Sequence, residues 1–206
     1  MTEGTQRRRR RKDERPAELV AAGLAEFALN GFAATRLDDV ARRAGVAKGT
    51  IYRYFTSKED LFLAALRENM TPTFVDLERF VDGFEGTTRE LLVAICRTLH
   101  SQMTRPEMRP LLRIIIAEGE KYPDLTRHHY EETVSKGRAM LEKVVARGRA
   151  RGEVRDGAAA DLPLVLAAPA VLATLWQMLF QPVAPIAPSA FLEAHIDLIV
   201  HGLLIE

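Results

Sequence analysis

Apolar residues recur at steps of three and four along most of this chain, and that spacing limits the folds open to it. The clearest stretch follows one helix face through Tyr130, Val134, Gly137, Leu141, Val144 and Gly148. Such steps keep side chains on one side of a helix with 3.6 residues per turn. We find no sustained alternation of apolar and polar residues, the pattern typical of strands. The spacing therefore predicts an all-α fold of about nine helices.

Glycines and capping residues divide the periodic segments. Gly31 and Gly45 stand where a helix commonly ends in a residue that tolerates positive φ. Two patterns, Thr35-x-x-Asp38 and Thr87-x-x-Glu90, resemble capping boxes, in which a hydroxyl and an acidic side chain satisfy free N–H groups. Each pattern predicts the start of a helix.

The composition argues against several classes of protein. Apolar residues make up 47% and charged residues 28% of the 206 residues, which suits a globular chain with a core. The single cysteine, Cys96, excludes an internal disulfide and a Cys-based zinc site. His128 and Glu132 have a spacing that can bind metal, but with only two ligands a solvated helix start is favoured. Because phosphate loops, zinc-protease motifs and nucleophile elbows are also missing, we expect no enzyme, cofactor or metal.

The net charge of +1 conceals an uneven distribution. Residues 1–60 hold 13 Lys and Arg against 9 Asp and Glu, whereas residues 61–206 hold 16 against 19. Six of the positive charges are consecutive, from Arg7 to Lys12. We interpret residues 1–12 as a disordered basic arm that contacts phosphates, the alternatives being an anionic membrane or a solvated tail.

Three predicted helices before residue 56 have the layout of a helix-turn-helix. The second and third are joined across Gly45-Val46-Ala47, which supplies the small residue that the tight turn needs. In the third helix, Ile51 and Phe55 are expected to face inward. The polar or small residues on its other side would enter the major groove of DNA: Lys48, Gly49, Thr50 and Tyr52.

The segment from Gly31 through VARRAGVAKGTIYRYFTSKEDLF resembles the DNA-binding domain of tetracycline-repressor (TetR) family regulators. The resemblance covers residues 16–66. It implies a dimeric, all-helical transcription regulator with an N-terminal helix-turn-helix domain, here 13–60, and a larger effector-binding and dimerisation domain, here 61–206. Such a protein binds a pseudo-palindromic double-stranded DNA operator, is most often a repressor released by a small-molecule effector, and acts in the cytoplasm.

The resemblance also implies roles for individual residues near the turn. By position, Lys48, Gly49, Thr50 and Tyr52 would face bases or the nearby backbone. Four further residues would hold phosphates: Thr35, Arg36, Tyr54 and Lys58. The family's base contact from the second helix is often basic, but this chain has Asp38-Asp39 there.

The second half of the chain carries a weaker resemblance and one ambiguous stretch. The segment RIIIAEGEKYPDL is similar to one C-terminal type found in this family. Residues 162–192 carry no charge and are long enough to resemble a membrane span, but prolines interrupt them. Since the family's last two helices commonly form a four-helix dimer interface, we expect a homodimer through 161–181 and 189–204 and no membrane span.

A group of soft and aromatic side chains could line a pocket for a hydrophobic effector. It consists of Cys96, His100, Met103, Trp176, Met178 and Phe180. Ordinary core or dimer packing is the alternative for all six. For Cys96, an inert buried thiol is favoured over a redox sensor, because nothing nearby in sequence would stabilise a thiolate. We expect His195 and His201 to be interface residues.

Two other interpretations of the whole chain stay open at this point. A helical enzyme or lipid-binding protein could use the N-terminal domain for interaction, and would show turnover or membrane association without a sequence preference on DNA. A DNA-binding protein without a pocket would not respond to hydrophobic small molecules.

Removal of residues 1–12 should weaken binding to operator and to random DNA alike. Fewer cations then displace fewer counterions, so the dependence of log K on log salt should become flatter. Fluorescence anisotropy at several salt concentrations measures this slope for the full chain and the truncated one. An unchanged slope would show that the basic run makes no phosphate contact.

Overall fold

The computed structural model describes residues 3–205, and the side chains of 15–69 and 75–205 among them. This part of the chain contains eleven α-helices and no β-strand, and nine of the helices are longer than four residues, which confirms the predicted all-α fold. The first six helices are α1 Glu3–Ala34, α2 Leu37–Arg43, α3 Lys48–Ile51, α4 Lys58–Gly83, α5 Thr88–Met103 and α6 Met108–Glu118. The others are α7 Pro123–His129, α8 Ser135–Ala150, α9 Ala158–Asp161, α10 Ala168–Leu179 and α11 Pro188–Leu203.

The described residues divide into two compact units. One holds the chain up to Thr71 together with Pro110–Tyr130, and the other holds Pro72–Arg109 together with Glu131 onward. The division therefore falls inside α4, and a segment from the middle of the sequence joins the first unit. The functional border between residues 60 and 61 stays a prediction.

Helix α1 begins before the point that the sequence indicated. The run Arg7–Lys12, expected to be a disordered arm, lies within α1, and Pro16 lies inside the helix rather than in its first turn. Arg and Lys are good helix formers, so a helical backbone is compatible with this run. The side chains of the run lie outside the described residues, and its contact with DNA stays a prediction. Near the other end, Gly31 has φ of 75° and interrupts the helix as predicted.

Aromatic rings form the centre of the first unit. Phe27, Phe32 and Phe62 pack with ring centroids 5.3 to 6.1 Å apart. Gly23 lets α4 approach α1 closely, because a Cβ there would lie 2.6 Å from Leu61 Cδ2. This core fixes α1 against the helix that follows the helix-turn-helix.

A buried carboxylate joins α1 to α2. Glu26, which is 7% exposed, accepts hydrogen bonds from Arg43 Nε and from Asn30 Nδ2, each at 2.6 Å. The hydrogen bond from Arg43 is the main reason why the pKa of Glu26 lies below its usual value. The pair therefore ties the end of α2 to the C-terminal third of α1.

The second unit has an aliphatic core built from α4, α5, α8 and α11, together with residues between them. Its fully buried members include Leu91, Ile95, Val144 and Leu203. Gly148 permits close packing there, since an added Cβ would lie 2.5 Å from Val154 Cγ2. The chain end is held by an isolated antiparallel bridge between Val154 and Leu204.

The two predicted capping boxes have different outcomes. Thr87 and Glu90 form one at the start of α5: the Glu90 N–H donates to the Thr87 hydroxyl at 3.2 Å, and the Thr87 N–H donates to the Glu90 carboxylate at 2.8 Å. The box predicted at Thr35 is wrong. The Thr35 hydroxyl donates to the Gly31 carbonyl at 2.7 Å, and Arg36 occupies the N-cap position of α2 without a side-chain cap.

By length and apolar composition alone, one described helical stretch, Arg15–Ala34, could cross a membrane. Its residues Leu19, Val20 and Phe27 are buried in the core of the first unit, which accounts for that composition. The uncharged stretch after Asp161 forms a 3₁₀ turn over Pro163–Ala167 and then α10, so it is not one continuous long helix.

Replacement of Glu26 by Gln should lower the free energy of unfolding at pH 7 by about 1–2 kcal/mol. The loss is smaller than for a fully buried ion pair, because water screens the partly exposed Arg43. Because the folded-state pKa is lowered, this contribution is present above the unfolded pKa and is lost as the pH falls through the folded pKa. Urea titrations at pH 7 and pH 3 should therefore show a larger difference at pH 7. Exposed Glu18→Gln is the control, and equal effects of the two variants would contradict the account.

Candidate functional site

The turn between α2 and α3 adopts the geometry that a helix-turn-helix requires. Gly45 has φ of 65°, a conformation that other residues rarely adopt. The Val46 N–H donates to the Ala41 carbonyl at 3.0 Å and so closes the turn. The sequence therefore places a glycine where the backbone needs one.

Apolar anchors hold the segment after this turn against the unit. Ile51 is fully buried and Phe55 is 6% exposed, while Val40 and Ala41 of α2 are also buried. Helix α3 ends at Ile51, whereas the predicted helix extended to Phe55. Beyond Ile51, backbone hydrogen bonds form turns that continue the chain to Phe55. The glycine, β-branched and aromatic residues of this stretch have low helix propensity, which favours the early end. We call Lys48–Phe55 the recognition segment.

The residues predicted to face bases lie at the surface of this segment. Lys48, Gly49 and Tyr52 are exposed and Thr50 is half-buried. An added Cβ at Gly49 would meet nothing within 4 Å, so packing inside the chain does not require a glycine there. Tyr54 is half-buried and stacks near the Arg53 guanidinium, 5.5 Å from the ring centroid.

Asp38 of α2 brings two of these residues together. Lys48 Nζ donates to Asp38 Oδ2 at 2.7 Å, and the Tyr52 hydroxyl donates to Asp38 Oδ1 at 3.2 Å. The hydrogen bond from Lys48 is the main cause of the lowered pKa of Asp38, and the same bond raises the pKa of Lys48. Asp38 departs from the family pattern at this position, and the local sequence carries no signal for its bridge to Lys48 and Tyr52.

Two of the four predicted phosphate ligands already have other partners. Thr35 is 3% exposed and its hydroxyl is bonded to Gly31, so the structure does not present it at the surface. Lys58 Nζ donates to the carbonyls of Phe32 and Ala33 at 2.9 and 2.7 Å and lies 4.8 Å from the Phe32 ring centroid. Cations near a helix C-terminus commonly bind its free carbonyls. This pairing depends on the fold, so no local sequence pattern could predict it. Arg36 is exposed.

The six candidate effector residues all lie in the second unit, where they fall into two groups. On α5, Cys96 and His100 are buried and Met103 is half-buried. On and after α10, the Trp176 and Phe180 rings lie 5.1 Å apart, and Phe180 is 47% exposed. Met178 is half-buried. The second group is therefore close to the surface of the unit.

Two buried imidazoles, those of His100 and His195, pair with each other next to Cys96, whose sulfur lies 3.9 Å from His195 Nε2. His195 Nε2 donates to the Leu166 carbonyl at 2.7 Å, so its Nδ1 is the acceptor for His100 Nε2 at 2.9 Å. Burial lowers the pKa of both histidines and raises the pKa of the Cys96 thiol to about 11. The thiolate is thus disfavoured, in keeping with an inert Cys96. His195 is only 1% exposed, so the expectation that it is an interface residue is wrong.

Gln177 of α10 is a polar residue outside the predicted site. Its Oε1 accepts a hydrogen bond from Arg109 Nη2 at 3.4 Å. Because a guanidinium can only donate, this contact identifies the oxygen, and the amide Nε2 is a buried donor without a partner. His128 and Glu132 have other partners: a ring nitrogen of His128 lies 3.2 Å from the Asp124 carbonyl, and Glu132 pairs with Lys136. Among the residues that the structure describes, no three potential metal ligands cluster.

Comparison with known proteins matches both parts of the chain. Residues 19–65 match the profile of bacterial regulatory proteins of the tetR family, and residues 85–199 match the tetracyclin repressor-like C-terminal domain. The HTH-type transcriptional repressor SCO4008 of Streptomyces coelicolor is 31% identical over 153 residues, which cover 74% of each protein. The chain belongs to the tetR family. It is therefore a DNA-binding transcription regulator.

Two solved structures share the fold of this chain. The regulator FadR of Bacillus subtilis, in complex with stearoyl-CoA, superposes with a TM-score of 0.76 at 22% identity, covering 90% of this chain and 98% of that one. SmeT in complex with triclosan gives a TM-score of 0.77 at 18% identity, covering 93% and 92%. At these identities the likeness concerns the fold.

Proposed function

We propose that this TetR-family regulator is a homodimeric repressor of a pseudo-palindromic operator, which a small hydrophobic effector releases. The observation that carries the proposal is the recognition segment, an exposed polar edge anchored from beneath by Ile51 and Phe55. To read the edges of nucleobases in the major groove, polar side chains must be held in place by packing beneath them. The regulator acts in the cytoplasm, where its operator is accessible.

An apolar surface on the last two long helices supports the dimer. Leu172 and Leu179 of α10, seven residues apart, are 54% and 60% exposed, and Leu198 of α11 is 64% exposed. Large exposed apolar side chains that share a helix face mark interaction surfaces. A second copy of the chain would cover them through 161–181 and 189–204. Two recognition segments would then enter major grooves about 34–36 Å apart.

The effector is proposed to bind among the α5 and α10 residues of the second unit. FadR and SmeT bind stearoyl-CoA and triclosan, which both contain large apolar parts. Met103, Trp176 and Met178 offer a polarisable apolar surface, and the free Gln177 donor would satisfy an acceptor atom of the ligand. Release of the operator requires that the effector bind one conformation of the dimer more tightly than the other.

Alanine replacement of Lys48 or Tyr52 should weaken binding to a duplex that the wild-type protein selects from a random pool. Loss of one base contact should reduce affinity about tenfold or more. Gel-shift titration measures the affinity, and size-exclusion chromatography with light scattering should show an intact dimer.

The chain offers matched controls for both substitutions. Lys121 is an exposed, ion-paired lysine like Lys48, with 71% against 69% side-chain exposure, and Tyr130 is 47% exposed like Tyr52. Lys121→Ala and Tyr130→Ala should retain wild-type affinity for the selected duplex. If Lys48→Ala and Tyr52→Ala retained it as well, the recognition segment would not be the DNA-reading surface.

A further inference from the structure

One carboxylate contacts two exposed side chains of the recognition segment. Asp38 lies in the first turn of α2, and its two oxygens accept hydrogen bonds from Lys48 at the start of α3 and from Tyr52 just after its end. Lys48 Nζ also lies 5.8 Å from the centroid of the Tyr52 ring. The three side chains therefore form a closed group, which we call the Asp38 bridge.

The bridge occupies the side chains that the proposed function assigns to DNA. A lysine is a flexible point charge that binds any phosphate within reach, so a free Lys48 would add affinity without sequence preference. In the bridge, Lys48 has an intramolecular anion as its partner, and the Tyr52 hydroxyl is oriented as a donor to the same anion. Contact with DNA phosphates has to compete with Asp38.

The bridge is exposed in the free protein but would be desolvated in a complex. Side-chain exposure is 37% for Asp38 and 69% for Lys48, so water screens the pair and leaves it exchangeable. At the DNA surface, the carboxylate would lose water and face a strongly negative potential. A desolvated carboxylate has to keep its donors, which would hold Lys48 and Tyr52 in place against the groove.

We propose that Asp38 is a positioning residue that sets the discrimination between operator and random DNA. It lowers binding to random DNA by withholding Lys48 from phosphates, and it presents Lys48 and Tyr52 to the operator in one fixed arrangement. This inference rests on the proposed function, because it assigns a role within the same DNA-reading surface.

Asp39 provides a matched control on the same helix. It carries the same charge in the next position, and its partner is Arg42 at 3.0 Å rather than a residue of the recognition segment. Asp38→Asn and Asp39→Asn therefore change the net charge equally, and each removes the anionic partner of one cation. Only the first changes the Asp38 bridge.

The test measures affinity for two duplexes, one selected by the wild-type protein from a random pool and one with the same bases shuffled. For Asp38→Asn and Asp38→Ala, the ratio of the two affinities should fall about tenfold or more. The salt slope on shuffled DNA should steepen by about two for the dimer, because two lysines are released. Asp39→Asn should keep the wild-type ratio. Thermal unfolding of each variant monitors folding, which a solely structural role of Asp38 would alter without a change in salt slope.

A cycle with Lys48→Ala and Tyr52→Phe decides how Asp38 acts. In that background, loss of Asp38 should no longer change the ratio, because its partners are gone. A persistent effect would mean that the carboxylate itself accepts from a cytosine or adenine amine, and would overturn the positioning role. Equal losses for Asp38→Asn and Asp39→Asn would overturn it as a general charge effect. If the wild-type protein showed no preference for any selected duplex, the proposed function itself would fail.

Discussion

Burial of Ile51 and Phe55 beneath the recognition segment is the interaction on which the proposed DNA-reading surface depends. These two side chains fix a segment that contains only one turn of α-helix and would not be stable alone. Gly45 gives the chain the turn that brings the segment back onto α2, where Val40 is buried. The polar edge above the anchors is therefore held by packing and not by its own helix propensity.

The surface polar groups are arranged by pairings that cross from one helix to another. Glu26 joins α1 to α2 through Arg43, and Asp38 joins α2 to the recognition segment through Lys48 and Tyr52. Lys58 closes the end of α1 in the same unit. The net charge of +1 therefore says little about how the helix-turn-helix domain would attract DNA. Several of its cations are already paired with acceptors inside the domain, so the positions of individual charges decide more than their sum.

Local signals in the sequence were sufficient for much of the fold. The spacing of apolar residues predicted that the chain is helical throughout. Thr87 and Glu90 predicted the start of α5, because both partners of a capping box lie within one turn of the chain. Features that depend on distant residues were not accessible in this way. Thr35 fits the same local pattern, yet its hydroxyl bonds to Gly31. The pairing of His100 with His195, 95 residues apart, and the Asp38 bridge follow from packing that no local pattern encodes.

A hydroxyl-radical footprint of the wild-type dimer on its selected duplex tests the central claim most directly. Two recognition segments related by a two-fold axis should protect two patches on one face of the DNA, centred about 34–36 Å apart, with a pseudo-palindromic sequence between and beneath them. A single protected patch, or protection spread evenly without a half-site spacing, would contradict the account of a dimer that reads two successive major grooves.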